Sequence, residues 1–164
     1  MKTGTIVVDF SEIFYRFLIF FRGKYEMKKM YDHSAPVFSP ASPSVHEYPL
    51  AEGWVVMAGK TDLDNDLLSL KTAGPNDWWF HVRGMPGSHV LLIGNQSEEP
   101  SAELLRQAAA IAAYHSKARD GGTVSVSATL ARYVSKPRGA KPGTVTIRKE
   151  IVIKVRPGIP KPLS

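Results

Sequence analysis

The chain has 164 residues, 21 Lys and Arg against 15 Asp and Glu, and no cysteine; that length suits one ordinary globular domain with a short appendage and excludes a large multidomain enzyme. A hydrophobic share of 43% with 22% charged residues describes a chain that buries a core, and zero cysteines excludes a disulfide framework, a thiolate zinc site, an iron–sulfur cluster and a cysteine nucleophile, which fits a reducing compartment such as the cytoplasm. The net charge of +6 is unevenly placed: residues 106–164 carry 12 basic and 2 acidic side chains, residues 1–105 carry 9 and 13, so the last third is about +10 and attracts polyanions, nucleic acid foremost.

Ile13 to Phe21 (IFYRFLIFF) is apolar but contains Arg16, is too short to cross a bilayer and precedes no small-residue cleavage site, so neither integral membrane association nor secretion is expected. An amphipathic surface helix, a docking helix and a wrongly assigned start codon remain. The last is favoured for residues 1–26, because Arg22-Gly23 can be encoded as a purine-rich ribosome-binding sequence just ahead of Met27. Prolines and serines from Tyr31 to Pro49 predict an extended linker, which makes residues 1–52 a non-domain segment and starts the folded domain near Gly53.

Trp54 to Ala58 reads as a strand, and Asp62 to Leu70 as a short helix with Leu63, Leu67 and Leu70 on its apolar stripe. Trp78 to Arg83 and His89 to Ile93 read as adjacent strands across a break at Gly84 to Gly87. The long helix is predicted over Pro100 to Arg119, with Leu104, Leu105, Ala108, Ile111 and Ala112 facing a sheet and Gly121-Gly122 ending it. Thr123 to Ala128, Thr144 to Arg148 and Ile151 to Arg156 are strand-like, the last two read as a hairpin. The class is α+β, a mixed, mainly antiparallel sheet with one long and one short helix.

Strand alternation puts Trp78, Phe80 and Val82 on one face and Asp77, Trp79, His81 and Arg83 on the other. The first face reads as core; the second sets an indole, an imidazole and a guanidinium in a row, the mixture that stacks bases and holds phosphate in single-stranded RNA binders. A competing structural reading has Trp79 cover the sheet edge and His81 satisfy a buried backbone group. Gly84 to Ser88 is expected to form an amide-rich anion-binding turn supported by His89. Lys136, Arg138 and Lys141, on a loop stiffened by prolines, read as a phosphate track, with Arg132, Arg148, Lys154 and Arg156 nearby in sequence, although charge runs are often just solvated. His81 and His89 lack a third metal ligand, Ser88 lacks the G-x-S-x-G context of a nucleophile, and Gly59-Lys60-Thr61 lacks the upstream glycine of a P-loop. No catalytic residue, metal or cofactor is therefore assigned.

The segment from about Gly53 to Pro157 resembles the NFACT-R domain, the RNA-binding module of the NFACT proteins of ribosome-associated quality control. The resemblance is carried by Asp77-x-Trp79-Phe80-His81, Pro86-Gly87-Ser88-His89 and Lys136-Pro-x-Gly139-x-Lys141-Pro142-Gly143. Thr61, and Ser127-Ala128-Thr129 where the family reads like D-Y-T, depart from the pattern. Without room for the other domains of full-length NFACT proteins, the chain is similar to small stand-alone members, and tail elongation on stalled chains is not implied. The resemblance implies non-catalytic binding of tRNA or ribosomal RNA, with the ribosome as a further partner. A protein-interaction adaptor using the same sheet face and a small RNA-acting enzyme are the alternatives.

Overall fold

The computed structural model describes residues 42–94 and 98–160; the expectations for the apolar run at 13–21 and for a start codon within residues 1–30 fall outside them. Within these residues the order is β1 (Val45–Pro49), β2 (Val55–Gly59), α1 (Asp62–Leu67), β3 (Trp78–Val82), β4 (Val90–Ile93), α2 (Ala102–Tyr114), β5 (Val124–Leu130), β6 (Val134–Ser135), β7 (Thr146–Ile147) and β8 (Ile151–Val155). Six strands form one sheet in the order β1-β2-β4-β3-β5-β8, every pairing antiparallel, and β6-β7 forms a separate ribbon. This is the α+β class that the alternating runs predict.

The helix-side face is built by period-two patterning. Val56, Ala58, Phe80, Val90, Leu92, Val126 and Ala128 project from the strands onto Leu104, Ala108, Ile111 and Ala112 of α2, all buried. The small alanines let the helix lie close to the sheet, and each fully buried Val, Leu, Ile or Phe contributes about 1.5–3 kcal/mol. Ser101 caps the helix by accepting from the Leu104 amide at 3.2 Å.

Four features differ from the sequence reading, each for an identifiable reason. Val45–Pro49, expected as linker, pairs with β2 from Val45↔Gly59 to Pro49↔Val55. As an edge strand it tolerates its terminal proline. The long helix stops at Tyr114 instead of continuing to Arg119, because the next residues pair with the turn after β3: the Ser88 amide donates to the His115 carbonyl (2.9 Å) and the Lys117 amide to Pro86 (3.1 Å).

The short helix α1 buries Asp64 and Asn65 and leaves Leu63 64% exposed, and the wider helical turn that continues it, Leu68–Thr72, buries Leu68 and Ser69. Its inward face is polar because it bonds to backbone groups. The expected hairpin of the last two strands is absent: β7 pairs with β6 and β8 with β5. Between them Lys149 adopts φ of 52°, and Thr129 Oγ1 donates to the Arg148 carbonyl at 2.7 Å, steering the chain from ribbon to sheet.

Candidate nucleic-acid interface

The predicted alternation of β3 is present, with Trp78, Phe80 and Val82 toward α2 and Trp79 and His81 opposite. That opposite face is not open. Trp79 is 3% exposed, packed with Met57, Leu68 and Leu91 and covered by Val134, Val145 and Ile147 from the ribbon and its approach. Its assignment as an exposed base-stacking platform is corrected: the two-stranded ribbon, invisible as a pairing in the sequence, roofs the ring.

Beneath the ribbon the three motif segments are bonded together. Trp79 Nε1–H donates to Ser69 Oγ (2.9 Å), Ser69 Oγ shares a 2.8 Å hydrogen bond with His89 Nδ1, and the His89 amide donates to Asn65 Oδ1 (2.9 Å). The His89 ring meets Trp79 edge-on at 5.0 Å and His81 at 5.6 Å. Burial, and then the neighbouring His81, push the His89 imidazole down to about 4; burial also lowers His81, against hydrogen bonding to the backbone at Gly87 and Val82. Burial thus favours the neutral form of both rings, in which one ring nitrogen donates and the other accepts.

Ser88 is held from two sides, its Oγ donating to the Gly59 carbonyl (2.6 Å) and its amide to His115. The Ser88 amide and hydroxyl, expected in an anion-binding turn, are thus engaged within the fold, where the turn ties β2 to the end of α2. Gly59 must be glycine here, because a Cβ would collide with Asn65 Oδ1.

Lys136, expected in the phosphate track, turns inward. Its Nζ donates to Asp66 Oδ2 (2.8 Å) and to the Lys141 carbonyl (2.7 Å), while the Gly143 amide donates to Asp66 Oδ1 (3.1 Å). One carboxylate of α1 thus pins both ends of the loop. Gly143 has φ of 76°, and a Cβ there would press on Asp62. Arg132, Arg138 and Lys141 are exposed. Lys149 donates to Tyr133 Oη at 3.3 Å and lies 4.7 Å from its ring centroid, which lowers the phenol below its usual range.

These elements leave a cleft of about 370 Å³ between the sheet and the ribbon, lined by His81, Arg83, Ser127, Thr144, Val145 and Ile147 among others. Arg83 is exposed at its edge, 3.4 Å from Glu150. Lys154 pairs in register with Ser125, two residues from Ser127, and so belongs to the same sheet face. The structure therefore brings His81 and Arg83 to one cleft, keeps His89 and Trp79 as its floor, and places Ser88 outside it.

Asp66, Ser69, Asn65 and Ser127 were not anticipated. The available signal was the acidic run of α1 in a chain with a basic loop, since Asp62 and Asp66 share one helix face four residues apart. The departures from the family pattern have local roles. Thr61 forms a capping box with Asp64, Ala128 joins the core, Thr129 fixes the turn before β8 and Ser127 faces the cleft.

A second cleft of about 370 Å³ lies across the Gly84 to Ser88 turn, among Lys60, His115, Lys117 and Arg119. His46 stacks on His115 at 4.7 Å, and Tyr48 Oη is 2.7 Å from His115 Nε2. Burial, helped by His46 and Arg119, pushes His115 down to about 4. Among the described residues no helix is long and apolar enough to cross a membrane, and no group of three or more His, Cys, Asp or Glu is placed to hold a metal.

Residues 44–149 match the model of the NFACT protein RNA binding domain. The chain is 39% identical over 118 residues to the Rqc2 homolog RqcH of Bacillus subtilis, covering 72% of this chain and 20% of that protein. It is 42% identical over 103 residues to the Rqc2 homolog RqcH of Streptococcus suis, covering 63% and 18%. A solved structure, that of the C-terminal of the fibronectin/fibrinogen-binding protein from Streptococcus suis, superposes with a TM-score of 0.66 at 32% identity, over 89% of this chain and 56% of that one. The chain spans about a fifth of the length of the two RqcH relatives.

Proposed function

The chain belongs to the NFACT family through its RNA binding domain, and on that premise we propose that it is a non-catalytic RNA-binding protein for tRNA or ribosomal RNA, working in the cytoplasm beside the ribosome in translation quality control. The observation that carries this reading is how the cations divide. Lys136 is consumed by the fold, whereas Arg132, Arg138, Lys141, Arg148, Lys154 and Arg156 stay exposed on the basic third of the chain. Arg83 and Lys154 share the face of the cleft, so phosphate contacts can run beside it.

Neutralising several phosphates releases counterions, so affinity for tRNA should fall by orders of magnitude between about 50 and 200 mM salt. A combined Arg138→Ala and Lys141→Ala variant of the full chain should weaken binding to all RNAs while stability stays within about 0.5 kcal/mol, as for exposed charges. A flat salt response would overturn the reading in favour of a protein partner.

A further inference from the structure

His81 and Ser127 are direct cross-strand partners on β3 and β5, side by side facing the cleft under the ribbon. Directly opposed residues hold their Cβ atoms about 4.5–5.5 Å apart, so an imidazole and a hydroxyl form one compact polar edge. Ser127 is 6% exposed, yet among the described residues its Oγ has no hydrogen-bond partner, unlike the side chains of Ser69, Asn65, His89 and Thr129. Among the described residues no fully buried side-chain polar atom lacks a partner, so the remaining access of Ser127 Oγ is through the cleft. A hydroxyl reached only through the cleft is open to a ligand or water there.

The surroundings narrow the ligand. Val145 and Ile147 supply apolar walls and Trp79 an aromatic floor, while His81 lies 6.0 Å from Trp79 in a stacked arrangement and adds a ring face. At the mouth, Arg83 makes a surface pair with Glu150, an interaction worth little that a phosphate can displace. Apolar walls for a flat ring, a donor–acceptor edge at its end and a cation at its rim match a nucleotide. A volume of about 370 Å³ lies at the small end of ligand pockets and admits no base-paired helix.

We infer that this cleft takes one unpaired nucleobase of the bound RNA, with Ser127 and His81 on its hydrogen-bonding edge and Arg83 on its phosphate. The inference rests on the RNA-binding reading and narrows it to RNA with single-stranded or looped nucleotides. The test compares an RNA hairpin carrying an unpaired loop with a fully paired duplex of equal charge, on the full chain. Ser127→Leu fills the cleft and should cost tenfold or more in hairpin affinity, with duplex affinity unchanged. Ser127→Ala, which keeps the packing and removes only the hydroxyl, should cost several-fold on the hairpin alone and decides the matter if the leucine variant melts. Equal losses on both RNAs, or none on either, overturn the base pocket while RNA binding stands. If the unmodified chain binds neither RNA at low salt, the RNA-binding reading fails and takes the pocket with it.

Discussion

Both faces of the central sheet are covered at its middle strands, but they are built by different means. Toward α2 the contacts are aliphatic and aromatic, Phe80, Val90, Leu92 and Ile111 being fully enclosed. Under the β6–β7 ribbon a small apolar cluster is threaded by hydrogen bonds joining Asn65, Asp66, Ser69, Trp79, His89 and the 136–143 loop. Hydrophobic burial is non-directional and carries stability; directed polar contacts fix where a loop sits. One face therefore holds the fold, and the other holds the shape of the cleft.

The largest effect tests whether the second face also holds the fold. Phe80→Ala and Trp79→Ala should each cost about 3 to 5 kcal/mol, since both delete a buried ring. Trp79→Ala additionally removes the donor to Ser69. Denaturant melts of the two variants check this; a Trp79→Ala variant as stable as the parent would mean that the ribbon does not cover the ring.

Acid should separate the faces next. His89, 3% exposed, is held down to about 4 by burial, whereas in the unfolded chain it titrates near the ordinary value of about 6.5. Between those values the unfolded state binds more protons, so His89's contribution is complete above about pH 6.5 and declines as pH falls toward 4, by roughly 3 kcal/mol across the window. His115, also held at about 4, acts in the same direction with a smaller effect, being partly solvated. Unfolding free energies at pH 7.5, 5.5 and 4.5 should show the decline, and His89→Gln should reduce it, leaving the smaller share of His115.

The same division explains what was legible in the sequence. The strand alternation of β3, the capped α2 and the antiparallel α+β class follow from local apolar period, and they are present. Lys136 and Trp79 were misjudged because their surroundings are set by residues far along the chain: Asp66 is 70 positions from Lys136, and the ribbon over Trp79 pairs two strands of two residues each, Val134–Ser135 and Thr146–Ile147. Thr144 to Arg148 reads as strand-like, but its two-residue partner Val134–Ser135 gives no periodic signal, so the pairing is not legible. The strand at Val45–Pro49 was hidden by its proline, which an edge position accommodates.

Breaking the polar face at its single clamp should have an intermediate effect. Asp66→Ala leaves Lys136 and the Gly143 amide without their carboxylate, at a cost of about 1 to 3 kcal/mol. The change should be local: amide exchange should accelerate across 136–143 while α2 and the helix-side strands keep their protection. Uniform acceleration throughout would mean that the loop is integral to the global fold rather than pinned onto it.

The smallest effect is also the sharpest test of how α1 is held. Leu63, Leu67 and Leu70 have the spacing of an apolar stripe, and a helix packed by that stripe would lose substantial stability when its first leucine became polar. In the structure Leu63 is 64% exposed, and the helix is held through Asp64, Asn65, Asp66 and Ser69 instead. Thr61 and Asp64 satisfy each other's backbone amides at its start, so the helix needs no apolar anchor at position 63. Leu63→Ser should then change stability by no more than about 0.5 kcal/mol, the range of an ordinary surface substitution. Asn65→Ala, by contrast, removes the acceptor of the buried His89 amide and should cost about 1 to 3 kcal/mol. Measured side by side, the two variants decide between the mechanisms: a Leu63→Ser loss larger than that of Asn65→Ala would show that α1 is packed by its leucines, and the polar face would lose its claim to position the cleft.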